Sequence, residues 1–213
     1  MVDFTRARNH MVDNQLLTGG VTDPALRARM RVMPREAFVP AERRDLAYVD
    51  ALHRFENGRF MVSPVALGRL IQLCEIQAND SVLVIGTTTG YAAAVVAGLA
   101  REVVGYEPDE NLAATARTML AQRPSISIVS GDFAQLAGRT FDAVLVEGAI
   151  DQVPTEWLDA LAHGGRLAAV VQAAGVGTAQ VYVKTGREVT CRREFNLTVP
   201  MFEVSASVQP FVF

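Results

Sequence analysis

The stretch Ser81-Val-Leu-Val-Ile-Gly-Thr-Thr-Thr-Gly-Tyr91, continued by the apolar run Ala92 to Ala100 and by Val103-Val-Gly-Tyr-Glu107, decides the fold. It reads as strand, glycine-bearing turn, helix and second strand, with a carboxylate where the second strand ends. A tight turn at the carboxyl end of a parallel strand leaves backbone amides and a helix N-terminus facing a crevice in which a nucleoside can lie. Glu107 follows Gly86 by about 20 positions, the spacing at which an acid accepts hydrogen bonds from ribose hydroxyls.

Downstream the pattern continues, with strands expected over 81–86, 102–107, 125–129, 141–147 and 166–172 and helices over 90–99, 109–122 and 154–162. Such alternation predicts an α/β fold, a doubly wound and mostly parallel sheet with helices on both faces. After Gly175 the strand-like pieces Ala179–Lys184, Glu188–Asn196 and Thr198–Ser205 follow without a helix, so antiparallel strands should finish one edge. Upstream, Thr22-Asp-Pro24 caps a helix carrying Leu26, Met30 and Val32. Pro34 and Pro40 bracket a short loop or single turn over 35–39, and a short helix follows from Pro40 to Tyr48. The segment Ala51 to Met61 has no period and reads as a loop lying over something. Ser63-Pro64 starts a helix whose apolar face runs through residue 75. The expectation is one domain over 1–213, with a helical cap (1–62), a nucleotide-binding core (63–175) and a C-terminal β edge (176–213).

Composition narrows the function. A chain of 213 residues, half of them apolar, can bury one substantial α/β core. A net charge of −3 with scattered Lys and Arg supplies no field for phosphate backbones, so nucleic acid is not expected as a partner. Cys74 and Cys191 fall in no metal or redox spacing and read as reduced thiols of a cytosolic protein. The longest apolar run, about nine residues, is too short for a bilayer. Charges near the N-terminus interrupt any leader-like segment. These features predict a soluble, cytoplasmic protein without membrane contact.

The turn also discriminates between nucleoside ligands. A dinucleotide turn needs glycine at its first, third and sixth positions, which here are Gly86, Thr88 and Tyr91. S-adenosylmethionine, with no pyrophosphate to cradle, suits a turn that closes on Gly90. Ser130-Gly-Asp132, directly after the Ile126–Val129 strand, adds a carboxylate where such sites meet the adenine amine.

Taken together the chain resembles the protein-L-isoaspartate O-methyltransferases. Arg8-Asn-His-Met-Val-Asp-Asn-Gln-Leu16, Gly20-Val-Thr-Asp-Pro24, Met33-Pro-Arg-Glu-Ala-Phe-Val-Pro40 and Ala47-Tyr-Val-Asp50 are similar to that family's opening signature. Gly58, Pro64, the turn, Asp142-Ala-Val-Leu-Val146, Val153-Pro154, Gly164-Gly-Arg-Leu167 and Val199-Pro200 follow in the family's order. The resemblance implies methyl transfer from S-adenosylmethionine to the isoaspartyl carboxylate of damaged proteins, with the donor held by Gly86, Thr87, Thr88, Gly90, Glu107 and Asp132. Positioning and exclusion of water would supply most of the rate.

Three departures fall on functional positions. Counting back from Pro64 puts Val62 where the family's acceptor-binding serine stands and Phe60 where its threonine stands, with Ser63 one position late and suited to cap the next helix. Val84 replaces an acid that helps hold the donor's ammonium, and Thr88 replaces a glycine, at about 1–2 kcal/mol if the backbone is left-handed. Glu147, at the end of the fourth parallel strand, is the candidate to replace the missing charge. Trp157 reads as a packing residue, His53 as a packed or surface residue of the covering loop, and His163 as a helix end. Two other readings stay open, a methyltransferase whose acceptor pocket is reshaped by Phe60 and Val62, and a homologue without catalysis that binds or regulates.

Overall fold

The computed structural model describes residues 2–55 and 57–202. Helix α1 (Phe4–His10), capped by Asp3, runs directly into a π-helical turn (Met11–Leu16) that buries Met11, Val12 and Leu16. Helix α2 (Pro24–Val32) starts as Thr22-Asp-Pro24 predicts, because the Asp23 side chain accepts from the Leu26 amide at 2.9 Å and Pro24 needs no donor partner there. It buries Leu26 and Met30, whereas Val32 at its end is exposed. Two 3-10 turns follow, Arg35–Ala37 and Ala41–Leu46. The aperiodic segment is a small hairpin in which β1 (His53–Arg54) pairs antiparallel with β2 (Phe60–Met61). Two residues per strand are too few for any period to register. Helix α3 (Pro64–Leu73) is capped by Ser63, whose hydroxyl accepts from the Ala66 amide at 3.4 Å.

The sheet then builds through β3 (Ser81–Ile85), α4 (Tyr91–Val96), β4 (Glu102–Glu107), α5 (Glu110–Leu120), β5 (Ile126–Ser130), β6 (Phe141–Ile150), α6 (Thr155–Asp159), β7 (Leu161–Ala173), β8 (Val176–Thr185) and β9 (Glu188–Asn196). Its order is β5-β4-β3-β6-β7-β8-β9, parallel from β5 to β7 and antiparallel across β8 and β9. Val82 is in register with Val103 on one side and Ala143 on the other. The chain winds outward from β3 through β4 to β5 and returns to β6, so the order reverses at β3 and leaves a crevice at the carboxyl ends of β3 and β6.

Alternating side chains cover both faces. Val82, Val84, Val103 and Leu145 join the cluster with Leu67, Leu70 and Tyr91, while Leu83, Ile85, Val144 and Val146 join the one with Leu136, Trp157 and Phe202. Each aliphatic side chain buried this way stabilises the fold by about 1.5–3 kcal/mol.

Two expectations are corrected. The helix expected over 154–162 stops at Asp159, and His163 lies exposed in β7 rather than at a helix end. Leu161 already pairs with Phe141, and an irregularity before the Ala143 and Arg166 pairing lets the strand begin early. The third C-terminal piece is not an antiparallel strand. Residues 198–202 make one isolated parallel bridge, Met201 with Ala149, because Pro200 carries no amide to extend a ladder. Residues 203–205 of that piece lie outside the described residues. Among the described residues no helix is long and apolar enough to cross a membrane.

Candidate functional site

The glycine turn leaves β3 at Gly86, whose φ of 80° suits a residue without Cβ, and enters α4 at Gly90, with φ of 96°. The Gly86 and Thr87 amides donate to the Tyr106 carbonyl at 2.8 and 3.2 Å, which ties the turn to β4. Thr87 points back toward β4: a Cβ at Gly105 would come within 2.9 Å of its methyl carbon, so the absent side chain at 105 makes its room. Thr88 has a φ of 49°, the left-handed backbone in which an L side chain is strained by about 1–2 kcal/mol. Its amide is turned onto Glu107 Oε2 at 2.7 Å. Both threonine hydroxyls are buried without a hydrogen-bond partner among the described residues.

Glu107 is fully buried at the end of β4. Besides Thr88 it accepts from the Asp109 amide at 3.2 Å and, in a two-pronged contact, from Arg59 Nε at 3.0 Å and Nη2 at 2.8 Å. The Arg59 guanidinium lies 4.5 Å from the centre of the Phe202 ring. Asp132 is exposed after β5, where its side chain accepts from the Ala134 amide at 2.8 Å and caps a short 3-10 turn. Together with Phe133 it borders a cleft of about 560 Å³ that Arg139 and Glu156 also line.

Glu147 is the second buried acid. It sits in β6, 1% exposed, and neither carboxylate oxygen has a hydrogen-bond partner among the described residues. Burial pushes its pKa up to about 8, against the opposing influence of Arg35. It is therefore no solvated loop acid. Arg35, also fully buried, donates to the Ala47 carbonyl at 3.0 Å and the Val62 carbonyl at 2.7 Å and lies 4.8 Å over the Tyr91 ring, while its Nη1 has no partner among the described residues. Burial raises the Tyr91 phenol to about 12, so it stays protonated.

The residues counted back from Pro64 separate. Val62 and Ser63 border a cleft of about 270 Å³ with Arg69 and residues 197–200, and Ser63 is engaged as the cap of α3. Phe60 is buried against β6, where a Cβ at Gly148 would stand 3.2 Å from its ring. Val84 is buried at the centre of the sheet, paired with Gly105 and Leu145. His53 is buried in β1 of the hairpin, and burial lowers its pKa to about 4. Trp157 packs as expected, in a chain of rings with Phe133 and Phe202.

Sequence reasoning missed Arg59, Arg35 and Phe202. Arg59 lies next to Gly58 in a stretch with no period, and nothing local announces a partner 48 positions away. Arg35 belongs to the opening signature, and the structure shows what that signature does. Arg8 donates to Glu36 at 3.1 Å and to the Tyr48 hydroxyl at 2.7 Å, and Gln15 donates to the Tyr48 carbonyl at 3.0 Å. The cap is thus tied to itself beside the buried Arg35.

The chain is similar to known proteins over most of its length. A family model described as protein-L-isoaspartate(D-aspartate) O-methyltransferase matches residues 6–203. Protein-L-isoaspartate O-methyltransferase 1 of Syntrophobacter fumaroxidans is 33% identical over 171 residues, 78% of this chain and 80% of its own. The protein-L-isoaspartate O-methyltransferase of Opitutus terrae is 36% identical over 167 residues, 76% of this chain and 72% of its own. Among solved structures, a protein-L-isoaspartate O-methyltransferase superposes with a TM-score of 0.79 at 20% identity, covering 92% of this chain and 66% of its own. A beta-aspartate methyltransferase (PCMT) from Plasmodium falciparum, in complex with S-adenosyl-L-homocysteine, gives 0.77 at 15% identity over 92% and 98%. At those identities the two structures establish the fold. A match that runs from the Arg8 network in the cap to the Val199-Pro200 segment beyond the sheet reaches well past the nucleotide turn that many folds share, and the chain belongs to the protein-L-isoaspartate(D-aspartate) O-methyltransferase family.

Proposed function

We infer that this protein methylates the side-chain carboxylate of isoaspartyl residues in proteins, with S-adenosylmethionine as donor. The observation that carries the reading is the family match over residues 6–203. The residues present fit the donor. The Gly86 to Gly90 turn lies at the reversal of strand order, Glu107 ends the next strand, and Glu147 is a buried carboxyl group with no partner among the described residues, which a cationic group would ionise and pair.

When bound, the donor supplies a methyl group on a sulfonium, which passes to a carboxylate oxygen as the sulfur leaves as a neutral thioether. The chain's part is to hold and to exclude. Glu107 would receive the ribose hydroxyls and Asp132 the adenine amine. Glu147 would face the amino-acid ammonium in place of the acid that Val84 lacks. Phe60, buried against β6 at Gly148, would supply an apolar wall that keeps water from the reacting atoms, where an attacking carboxylate is strengthened by loss of its hydration. No general base is needed, because the acceptor is already ionised.

The test is transfer of labelled methyl from S-adenosylmethionine to an isoaspartyl peptide, with the same peptide containing ordinary aspartate as control. Base-labile label in the first and none in the second is expected. Equal labelling of both would overturn the assignment of acceptor and favour the reshaped pocket that Val62 suggests.

A further inference from the structure

Two side chains lie where the donor's nucleoside is expected. A Cβ at Gly86 would stand 2.9 Å from Phe202 Cε2 and 3.2 Å from Arg59 Nη2, so the surface of the turn is covered. Phe202 cannot leave as a segment without cost. Its amide donates to the Ala149 carbonyl at 2.7 Å, and the Ala149 amide donates to Pro200 at 2.8 Å. Phe202 is 3% exposed, and its ring lies under the Arg59 guanidinium. Arg59 itself is only partly covered, with 14% of its side chain exposed against none for Glu107.

The contact has the chemistry of the group it displaces. Nε and Nη2 present two N–H donors on one edge, one to each oxygen of Glu107. A ribose presents two O–H donors on adjacent carbons to the same pair of oxygens. The Thr88 and Asp109 amides stay on Glu107 in either case. The carboxylate cannot accept the guanidinium edge and the diol together, since both need the outward-facing lone pairs.

We propose that Arg59, seated on Phe202, is an internal occupant of the donor's ribose site, so that the nucleoside binds only as Arg59 releases Glu107. The proposal rests on the donor reading given above. It makes Arg59 the residue that sets donor affinity: the free protein keeps a buried carboxylate paired, and apparent affinity falls by the fraction of molecules in which the site is open.

The experiment is calorimetric titration of the wild-type chain and Arg59→Met with S-adenosylhomocysteine, adenosine and 2′,3′-dideoxyadenosine, with thermal melting to verify that each protein is folded. Arg59→Met should bind the first two about tenfold or more tightly than wild type, since a hydrogen bond to a charged group is worth on the order of a factor of ten. It should gain by a similar factor on the dideoxynucleoside, since any sugar must displace the guanidinium, whereas Arg59→Lys, which keeps a cation on Glu107, should stay near wild type, a contrast that general loosening would not produce. Phe202→Ala, which leaves the ion pair in place but removes its support, should also bind S-adenosylhomocysteine more tightly and serves if Arg59→Met does not fold. Equal binding of S-adenosylhomocysteine to wild type, Arg59→Met and Phe202→Ala, or a gain as large for Arg59→Lys as for Arg59→Met, overturns the proposal and leaves the donor reading intact. No binding of S-adenosylhomocysteine or adenosine to any folded form overturns both.

Discussion

Replacing Glu147 by glutamine should flatten the dependence of stability on pH between about pH 6.5 and 8. The carboxyl group is buried, and burial moves its pKa from the ordinary 4.5 up to about 8, with Glu107 adding to the shift and Arg35 and Arg59 opposing it. Across that interval the folded protein holds a proton that the unfolded chain has lost, so stability falls as pH rises and the fall ends once pH passes the folded value. His53 has the opposite sign. Burial, reinforced by Arg35 and Arg43, lowers it from 6.5 to about 4, so the unfolded chain binds more protons between those values and stability rises with pH there. The two slopes oppose each other in the acid range, and above about pH 6.5 Glu147 acts without His53. Integrating its proton occupancy from about pH 6.5 to 8 gives a loss on the order of 1–2 kcal/mol, or about 2–8 °C in Tm for a domain of this size. Thermal melts of both proteins at several pH values through this range measure it. An unchanged wild-type Tm, or an equal fall in Glu147→Gln, would refute the buried, unpaired carboxylate. The same group predicts that S-adenosylhomocysteine, bringing an ammonium to Glu147, releases close to one proton on binding near neutral pH. Calorimetry in buffers of different ionisation enthalpy reads that release.

Two further substitutions test the surroundings. Arg35→Met leaves the Ala47 and Val62 carbonyls without their donor and removes a cation that opposes protonation of Glu147. Urea unfolding should show a loss of about 1–3 kcal/mol for each carbonyl left unpaired, with the Glu147 transition displaced to higher pH. Val62→Ser restores a hydroxyl where the family carries serine, and kcat/KM for an isoaspartyl peptide should rise by about 10- to 100-fold if that hydroxyl bonds the transition state. Because Val62 is 1% exposed, the same change should cost about 1–3 kcal/mol of stability unless the hydroxyl finds a partner.

The parts of this protein that depend on near neighbours were legible from its residues. Four apolar residues, Val82 to Ile85, running into Gly86, a left-handed Gly90, and Asp23-Pro24 and Ser63-Pro64 at helix starts are local features, and the structure has β3, α4, α2 and α3 where they indicated. The antiparallel finish after Gly175 was also visible, because helix-free alternation leaves few other options. Boundaries were less so. His163 turned out to lie in a strand because a pairing irregularity along β6 and β7, and no period within the segment, decides where that strand begins.

By itself, then, the order of residues determined a mostly parallel sheet with an antiparallel finish, the turn and the acids Glu107 and Asp132 at strand ends, since backbone geometry and period are short-range properties. Only the tertiary structure decided what those acids touch. It brought Arg59 from a short hairpin onto Glu107 across 48 positions, laid Phe202 over Gly86, and buried Glu147 without a partner among the described residues while Arg35 found its acceptors in Ala47 and Val62. Such pairings follow from how the hairpin, the cap and the sheet pack together. The energy of a charge is set by those packed surroundings, and no local pattern encodes them.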